Sequence, residues 1–96
     1  VLHSFGPHRG IDGMTLDTEG NVVATCGWEV SGPGPMIAVF APSGSVLATH
    51  PVPCKRPTNC AFGDDDMQTL YVTSIDGLVY RARTDRQGRH WWPRQA

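Results

Sequence analysis

Short apolar runs, each closed by turn-forming residues, constrain this chain more than any other feature of its sequence. In the first half these runs are three to five residues long and are bounded by Gly, Pro, Asn, Asp or Ser; they cover residues 14–16, 22–26, 36–40 and 46–49. Such runs are typical of β-strands joined by tight turns. No apolar stripe with the helical period of 3.6 residues is long enough to predict a helix. The sequence therefore predicts an all-β fold, with a loop over the Gly- and Pro-rich residues 31–35.

The second half of the chain repeats the pattern of the first. Residues 12–17, 22–25 and 36–38 align with residues 58–63, 70–73 and 78–80, at offsets in the forties that drift with turn length. A period in the forties with four strands in each unit is typical of the blades of a β-propeller. We predict about two four-stranded blades, over residues 11–52 and 57–92, with residues 1–5 forming a strand that ends a preceding blade.

The length of the chain limits how this fold can close. Propellers of typical size need about four to eight blades, and 96 residues hold about two. Two blades alone would leave exposed strand edges. The chain is therefore interpreted as a fragment of a larger propeller or as a unit that associates with itself, with three copies closing a six-bladed ring. A free-standing β-sandwich or barrel of about eight strands is the alternative architecture.

Charge and cysteine content narrow the class of partner and compartment. The net charge is −1 and only 18% of the residues are charged, which argues against nucleic acid or an anionic membrane surface as partner. No apolar run approaches the ~20 residues of a membrane span. The three cysteines lack the spacing of a zinc site or disulfide framework. Cys26 and Cys60 lie in apolar runs and are predicted to be buried thiols. This favours a reducing, cytoplasmic location, with an upstream targeting segment left open.

Three segments resemble the gluconolactonase/regucalcin family, also called senescence-marker-protein-like. Residues 10–21 read GIDGMTLDTEGN and resemble that family's P-D-G-M-x-x-D-x-x-G-x segment; residues 56–63 read RPTNCAFG and resemble its P-T-N-x-x-F-G stretch; residues 69–73 read TLYVT and resemble its L-Y-V-T strand. Ile11 is a departure, because the family usually has proline there. The resemblance extends over nearly the whole chain, from about residue 1 to residue 92, and it is to the C-terminal part of the family's propeller.

The resemblance implies a function as well as a fold. It implies a six-bladed propeller that hydrolyses sugar lactones and holds one divalent cation in its central channel, with Ca²⁺ expected and Zn²⁺ or Mg²⁺ as alternatives. In the family, the aspartate of D-G-M ligates the metal and is proposed as the general base; here it is Asp12. The family's other ligands, a glutamate and asparagines, come from earlier blades. The implied partners are a small-molecule sugar lactone and the blades that complete the ring.

The chemistry of Asp12 agrees with this assignment. Asp12 stands at the start of the first strand of its blade, which is the innermost strand and borders the channel. A hard cation prefers oxygen ligands, a bound cation polarises a carbonyl group, and a nearby carboxylate can accept a proton from water. Considered without the resemblance, Asp12-Gly13 is a common hairpin dipeptide, so a turn aspartate is the alternative.

Several other residues are weaker candidates. Thr58 and Asn59 occupy the matching place in the second blade, where they either contact substrate or cap the entry to a strand. Asp17 is predicted to begin a turn. The acidic residues 64–66 are predicted to form a solvated turn, since they lack the alternating ligands of a calcium loop. The histidines have no metal-binding spacing, although His8 lies close enough to Asp12 in sequence to reach the channel mouth.

Two functions from different classes remain open on the sequence. The first is a metal-dependent lactonase to which this chain contributes part of the active-site channel. The second is a non-catalytic propeller fragment that binds a partner or serves as a scaffold, because the other metal ligands of the family are not in this chain. Covalent acyl-enzyme chemistry has no support, because no Ser or Cys stands in a G-x-S-x-G context.

Overall fold

Seven β-strands form the regular structure of residues 2–4 and 10–89, which are the residues that this computed structural model describes. All of the strand pairings within its two sheets are antiparallel, and the prediction of an all-β fold is confirmed. The strands are β1 (Ile11–Leu16), β2 (Val22–Trp28), β3 (Ser31–Phe40), β4 (Val46–Pro51), β5 (Pro57–Gly63), β6 (Thr69–Ser74) and β7 (Val79–Arg83).

The strands form two sheets that follow chain order. The first sheet has the order β1-β2-β3-β4 and the second has the order β5-β6-β7. Each strand is joined to the next in its sheet by a short turn, as the spacing of Gly, Pro, Asn and Asp predicts. The β1–β2 hairpin and the β5–β6 hairpin therefore occupy equivalent places in the two sheets, as the internal repeat requires.

A shared apolar core joins the two sheets. Its members are at most 8% exposed and come from β2 and β3 of the first sheet and from β5 and β6 of the second; they are Val23, Ile37, Val39, Cys60, Phe62, Leu70 and Val72. They alternate along their strands because successive side chains of a strand point to opposite faces. Burying a Val, Leu, Ile or Phe side chain stabilises the fold by about 1.5–3 kcal/mol, so this core is the main attachment between the sheets.

The sheets converge at one edge and separate at the other. The inner strand β5 of the second sheet lies against β1 and β2 of the first. Toward the outer strands the sheets enclose a groove of about 540 Å³, lined by apolar residues such as Val52 and Leu70 and by polar ones such as Arg81. The sheets of an aligned sandwich stay about 10 Å apart over their whole area. Convergence at the inner strands instead matches two neighbouring propeller blades, which favours the propeller over the sandwich.

The first sheet buries both of its faces. On the face away from the second sheet, Ala24, Cys26, Ala38 and Phe40 are at most 2% exposed and form a second apolar cluster. The ring of His3 lies against this cluster, with its centroid 5.0 Å from that of Phe40. Residues 2–4 form no strand, so the strand predicted over residues 1–5 is absent from the part of it that is described.

The predicted loop over residues 31–35 is part of a strand. Trp28 pairs with Ser31 across a two-residue connection, and β3 runs from there to Phe40, with a register shift where residues 32–35 face only Gly27. Gly27 has a φ of 82°, and a Cβ atom at this position would overlap the carbonyl oxygen of Gly34. The glycines in this region therefore permit a close approach of two strand backbones. Their abundance resembled a loop signal, but the segment is extended and forms the first part of β3.

The second sheet has three strands within residues 57–89, whereas the sequence predicted four in the segment 57–92. Thr84 still bonds beside β6, because its N–H and hydroxyl donate to the carbonyl oxygen of Gln68, each at 2.9 Å. Residues 85–89 then form no further strand. The Thr18 N–H then donates to Gln87 O at 2.7 Å, and Gly88 forms a bridge with Asp17. The segment after β7 thus fastens the second sheet to the β1–β2 turn of the first. Residues 90–92 lie outside the described residues.

Candidate functional site

The two inner strands begin side by side, and this brings together the residues that the sequence singled out. Asp12 and Gly13 lie near the start of β1, and Thr58 and Asn59 lie near the start of β5. A Cβ atom at Gly13 would overlap Oδ1 of Asn59, so only glycine leaves room for the asparagine side chain there. We call Asp12, Gly13, Thr25, Thr58 and Asn59 the inner-strand site.

Asp12 lies in a β-bulge of the first sheet. Ile11 is opposite Cys26 and Met14 is opposite Ala24, so Asp12 and Gly13 together face the single residue Thr25. A bulge of this kind bends its strand and redirects a side chain, and bulges are frequent beside active sites. Asp12 is exposed, so its carboxylate is accessible from solvent. Asp12 lies within the strand β1. The alternative interpretation as a turn aspartate, which the dipeptide Asp-Gly suggested, is therefore wrong.

The hydroxyl group of Thr25 holds this bulge together. Thr25 Oγ1 accepts a hydrogen bond from the Gly13 N–H at 3.0 Å and donates one to the Gly13 carbonyl oxygen at 2.9 Å. Thr25 is fully buried, with 0% of its surface exposed. The sequence analysis did not single out this residue. Its alignment with Thr73 in the internal repeat was the available signal.

Thr58 and Asn59 occupy a second irregularity at the matching place in β5. Pro57 is opposite Ser74 and Asn59 is opposite Thr73, so Thr58 is an extra residue in the pairing. The hydroxyl groups of Thr58 and Thr73 are hydrogen-bonded at 2.9 Å. Oδ1 of Asn59 accepts a bond from the Cys60 N–H at 2.8 Å. These contacts are those of residues that organise the start of a strand, while Asn59 remains exposed.

The donor set of the inner-strand site suits part of a hard-cation site. It offers one carboxylate at Asp12, with the oxygen atoms of Thr58 and Asn59 on the neighbouring strand, and Ca²⁺ and Mg²⁺ both prefer oxygen ligands. Within residues 2–4 and 10–89, no three His, Cys, Asp or Glu side chains are grouped so that they could hold a metal ion. The residues present therefore fit a divalent cation only as one contributor among several.

Asp17 organises the β1–β2 turn, in agreement with its predicted place at the start of that turn. Its Oδ1 atom accepts hydrogen bonds from the N–H groups of Glu19 and Asn21 at 2.9 Å, and Oδ2 accepts from the Asn21 amide at 3.0 Å. Arg86 reaches the same Oδ2 atom at 3.3 Å. Burial alone would raise the pKa of Asp17, but these bonds outweigh it and lower that pKa. Asp17 is 1% exposed, so its role is structural.

The acidic turn between β5 and β6 is engaged in surface contacts. The Tyr71 hydroxyl donates to Asp64 Oδ1 at 2.6 Å. Arg83 forms a two-pronged ion pair with Asp66, at 3.0 and 2.6 Å. The hydrogen bond from Arg83 is the main reason that the pKa of Asp66 is lowered to about 2. These carboxylates lie on the surface, as predicted for a solvated turn.

Two of the thiols lie in the apolar clusters and not at the inner-strand site. Cys26 and Cys60 are buried, as predicted, and no disulfide joins any of the three cysteines, all of which are among the described residues. Burial, reinforced by Cys26, raises the pKa of Cys60 to about 12, which keeps its thiol protonated and unreactive. His8, the histidine closest in sequence to Asp12, lies outside the described residues.

Residues 2–4 and 10–89 contain no helix that could span a membrane.

Comparison with known proteins gives a family match over most of the chain. Residues 1–76 match the model of the SMP-30/Gluconolactonase/LRE-like region. The pentonolactonase XacC of Haloferax volcanii is 33% identical over 66 residues, which are 69% of this chain and 21% of that protein. The 6-deoxy-6-sulfogluconolactonase of Pseudomonas putida is 36% identical over 63 residues, which are 66% of this chain and 20% of that protein.

A solved structure supports the assignment of the fold. The calcium-binding protein regucalcin from Agrobacterium tumefaciens superimposes with a TM-score of 0.71 and 26% identity, over 88% of this chain and 32% of that one. The two sheets therefore correspond to about two blades of a propeller. The chain spans about a fifth to a third of the length of the relatives that it matches.

Proposed function

The chain belongs to the SMP-30/gluconolactonase/LRE-like family, and we propose that it contributes part of the active-site channel of a metal-dependent sugar lactonase. The observation that carries the proposal is the bulge at Asp12. An exposed carboxylate stands at the start of the inner strand of one blade, beside the exposed Asn59 of the next. Lactonases among the relatives support the reaction class. We call this chain, together with the blades that complete its ring, the assembled protein.

In this proposal the residues of the chain have distinct roles. Asp12 ligates a divalent cation, with Ca²⁺ as the leading candidate and Zn²⁺ or Mg²⁺ as alternatives, and the remaining ligands come from other blades. When bound, such a cation supplies Lewis acidity at the lactone carbonyl. Asn59 and Thr58 contact the substrate: the amide N–H₂ group of Asn59 donates to a sugar hydroxyl oxygen.

Asp12 also acts as the general base of the reaction. One of its carboxylate oxygen atoms accepts a proton from the attacking water as the oxygen of that water bonds to the lactone carbonyl carbon. When the ring C–O bond breaks, the ring oxygen leaves with the electron pair of that bond, takes the proton from Asp12 and becomes a hydroxyl group. The product is an open-chain hydroxy acid, so the reaction consumes one water molecule and leaves Asp12 ionised.

The direct test compares two aspartate-to-asparagine variants of the assembled protein. Asp12→Asn removes the charge and the proton acceptor while keeping the shape of the side chain. Asp65→Asn makes the same change in the surface turn at the opposite end of β5. We expect Asp12→Asn to lower kcat for gluconolactone by at least ~100-fold, and Asp65→Asn to leave it within about twofold. Turnover by Asp12→Asn at the wild-type rate would contradict the proposal.

A second candidate is calcium binding without catalysis, and the likeness to a calcium-binding regucalcin favours it. In that case the assembled protein would bind Ca²⁺ through Asp12 but would not hydrolyse lactones. Calcium titration and lactone hydrolysis measured on one preparation separate the two functions. A location in the cytoplasm and closure of the ring by three copies of the chain stay predictions, which cell fractionation and solution mass would test.

A further inference from the structure

The bulge that presents Asp12 depends on a single buried side chain. Two residues of β1, Asp12 and Gly13, lie opposite one residue of β2, and an extra residue of this kind disrupts the regular pairing of the strands. The N–H and C=O groups of Gly13 both bond to the hydroxyl group of Thr25, at 3.0 and 2.9 Å. One hydroxyl group thus bonds to both main-chain polar groups of the residue that follows Asp12.

Thr25 is itself held in place from the other side. On its β3 side it pairs with Ile37, which is 5% exposed and belongs to the core between the sheets. Thr25 has no exposed surface, so its hydroxyl group has no access to bulk water as an alternative partner. Its hydrogen bonds to Gly13 are therefore made in a buried site, where losing a partner costs the full desolvation of the groups left behind.

The second sheet offers an internal comparison. Thr73 is the repeat counterpart of Thr25, and its hydroxyl group contacts the hydroxyl group of Thr58 at 2.9 Å and the carbonyl oxygen of Asn59 at 3.4 Å. A threonine hydroxyl therefore supports the irregular start of the inner strand in both sheets. The two differ in burial, because Thr73 is exposed whereas Thr25 is enclosed. The enclosed threonine is the one beside the carboxylate.

We infer that Thr25 is a positioning residue for Asp12: its hydroxyl group fixes the Gly13 backbone and thereby the direction in which the Asp12 carboxylate points. The inference rests on the proposed function in so far as Asp12 is the residue that ligates the cation and accepts the proton. Thr25 has no surface exposed to a ligand, so it acts only through the backbone beside Asp12.

Three variants of the assembled protein test the hydroxyl group specifically. Thr25→Val replaces the hydroxyl group by a methyl group of similar size and removes both hydrogen bonds. Thr25→Ser keeps the hydroxyl group, and Thr49→Val makes the valine substitution on the outer strand β4. Removing partners that orient a metal ligand typically costs about 10–100-fold in metal affinity or activity. We expect that loss in Ca²⁺ affinity and kcat for Thr25→Val, with Thr25→Ser and Thr49→Val within about threefold of wild type.

A third readout is independent of catalysis. Hydrogen exchange of the Gly13 amide should accelerate by at least about tenfold in Thr25→Val and remain near the wild-type rate in Thr25→Ser. Unchanged kcat, Ca²⁺ affinity and exchange in Thr25→Val would overturn the inference, as would equal losses in the valine and serine variants. A lower melting temperature with wild-type Ca²⁺ affinity would also overturn it, because Thr25 would then only stabilise the fold.

The same experiments separate this inference from the proposed function. If Asp12→Asn is inactive while Thr25→Val behaves as wild type, the proposed function stands and the positioning role of Thr25 is rejected. If Asp12→Asn turns over normally, the proposed function fails, and the exchange rate of the Gly13 amide still decides whether Thr25 holds the bulge.

Discussion

The two sheets share one strand pattern but differ in how completely each is enclosed. The first sheet has four strands and buries apolar side chains on both faces. The second has three strands within the described residues, and its outer face exposes Val79 at 65%. Ile37 holds the equivalent repeat position in the first sheet and is 5% exposed. Equivalent positions of the repeat therefore contribute differently to the stability of the fold, because the neighbouring residues decide whether each side chain is buried.

The turns that close the two inner hairpins show the same contrast. In the first sheet, Asp17 and Arg86 form an ion pair in which the aspartate is almost fully buried. In the second, Asp66 and Arg83 form a shorter ion pair with both side chains largely exposed. A short distance between charges is therefore a poor guide to stabilisation, since solvent screens the exposed pair much more than the buried one.

The largest effect on stability is expected from the core position. Ile37→Ala should lower the free energy of unfolding of this chain by about 2–5 kcal/mol, because it leaves a cavity between the sheets. Val79→Ala at the equivalent exposed position should change it by less than about 0.5 kcal/mol. Urea unfolding followed by circular dichroism measures both. A large cost for Val79→Ala would mean that a second copy covers the outer face, and the contrast between the sheets would fail.

A smaller effect is expected from the buried turn carboxylate. Asp17→Asn should cost about 1–3 kcal/mol, because Arg86 loses its charged partner and the turn loses a strong acceptor. Glu19→Gln in the same turn is the matched control, since its side chain is exposed, and it should have little effect.

The pH dependence of Asp17 gives a second readout of the same turn. Its pKa is lowered in the folded chain, so its contribution is fully present above the ordinary value of 3.8 and is lost as the pH falls through the folded pKa. The stability gap between wild type and Asp17→Asn should therefore narrow below about pH 4. A gap that is constant from pH 6 to pH 2 would show that the charge of Asp17 does not stabilise the turn.

The smallest effect is expected from the exposed ion pair. Asp66→Asn should leave the urea midpoint nearly unchanged, although the pKa of Asp66 is lowered to about 2 by Arg83. Any residual effect should disappear when the salt concentration is raised to about 1 M, because salt screens exposed charges. If Asp66→Asn destabilised the chain as much as Asp17→Asn, burial would not be what distinguishes the two turns.

Much of the fold follows from local patterns in the sequence. Alternating burial along β5 and the turn residues between strands are local properties, so the all-β fold and the two repeated units were predictable. The segment 31–35 was not, because its Gly and Pro content suggests a loop, whereas it forms the first part of the strand β3. The path of the chain after Arg83 also depends on distant partners, because the Thr18 N–H bonds to Gln87 O, which a local pattern does not show.

The functional site was likewise predictable only in part from the sequence. Asp12 was identified from the resemblance of its segment to a family, since the residues alone favoured a turn aspartate. Its structural support from Thr25 requires knowing that two residues of β1 face one residue of β2, and that register is not visible in the sequence. The bond between Arg86 and Asp17 joins residues 69 positions apart, so no short motif could predict it.

The most direct test of the central claim is the Ca²⁺ affinity of the assembled protein, measured by calorimetry for wild type and for Asp12→Asn. If Asp12 ligates the cation through the bulge described above, the variant should bind Ca²⁺ at least roughly tenfold more weakly, while Asp65→Asn binds as wild type does. Equal affinity in wild type and Asp12→Asn would contradict the claim that the start of β1 forms part of a metal site.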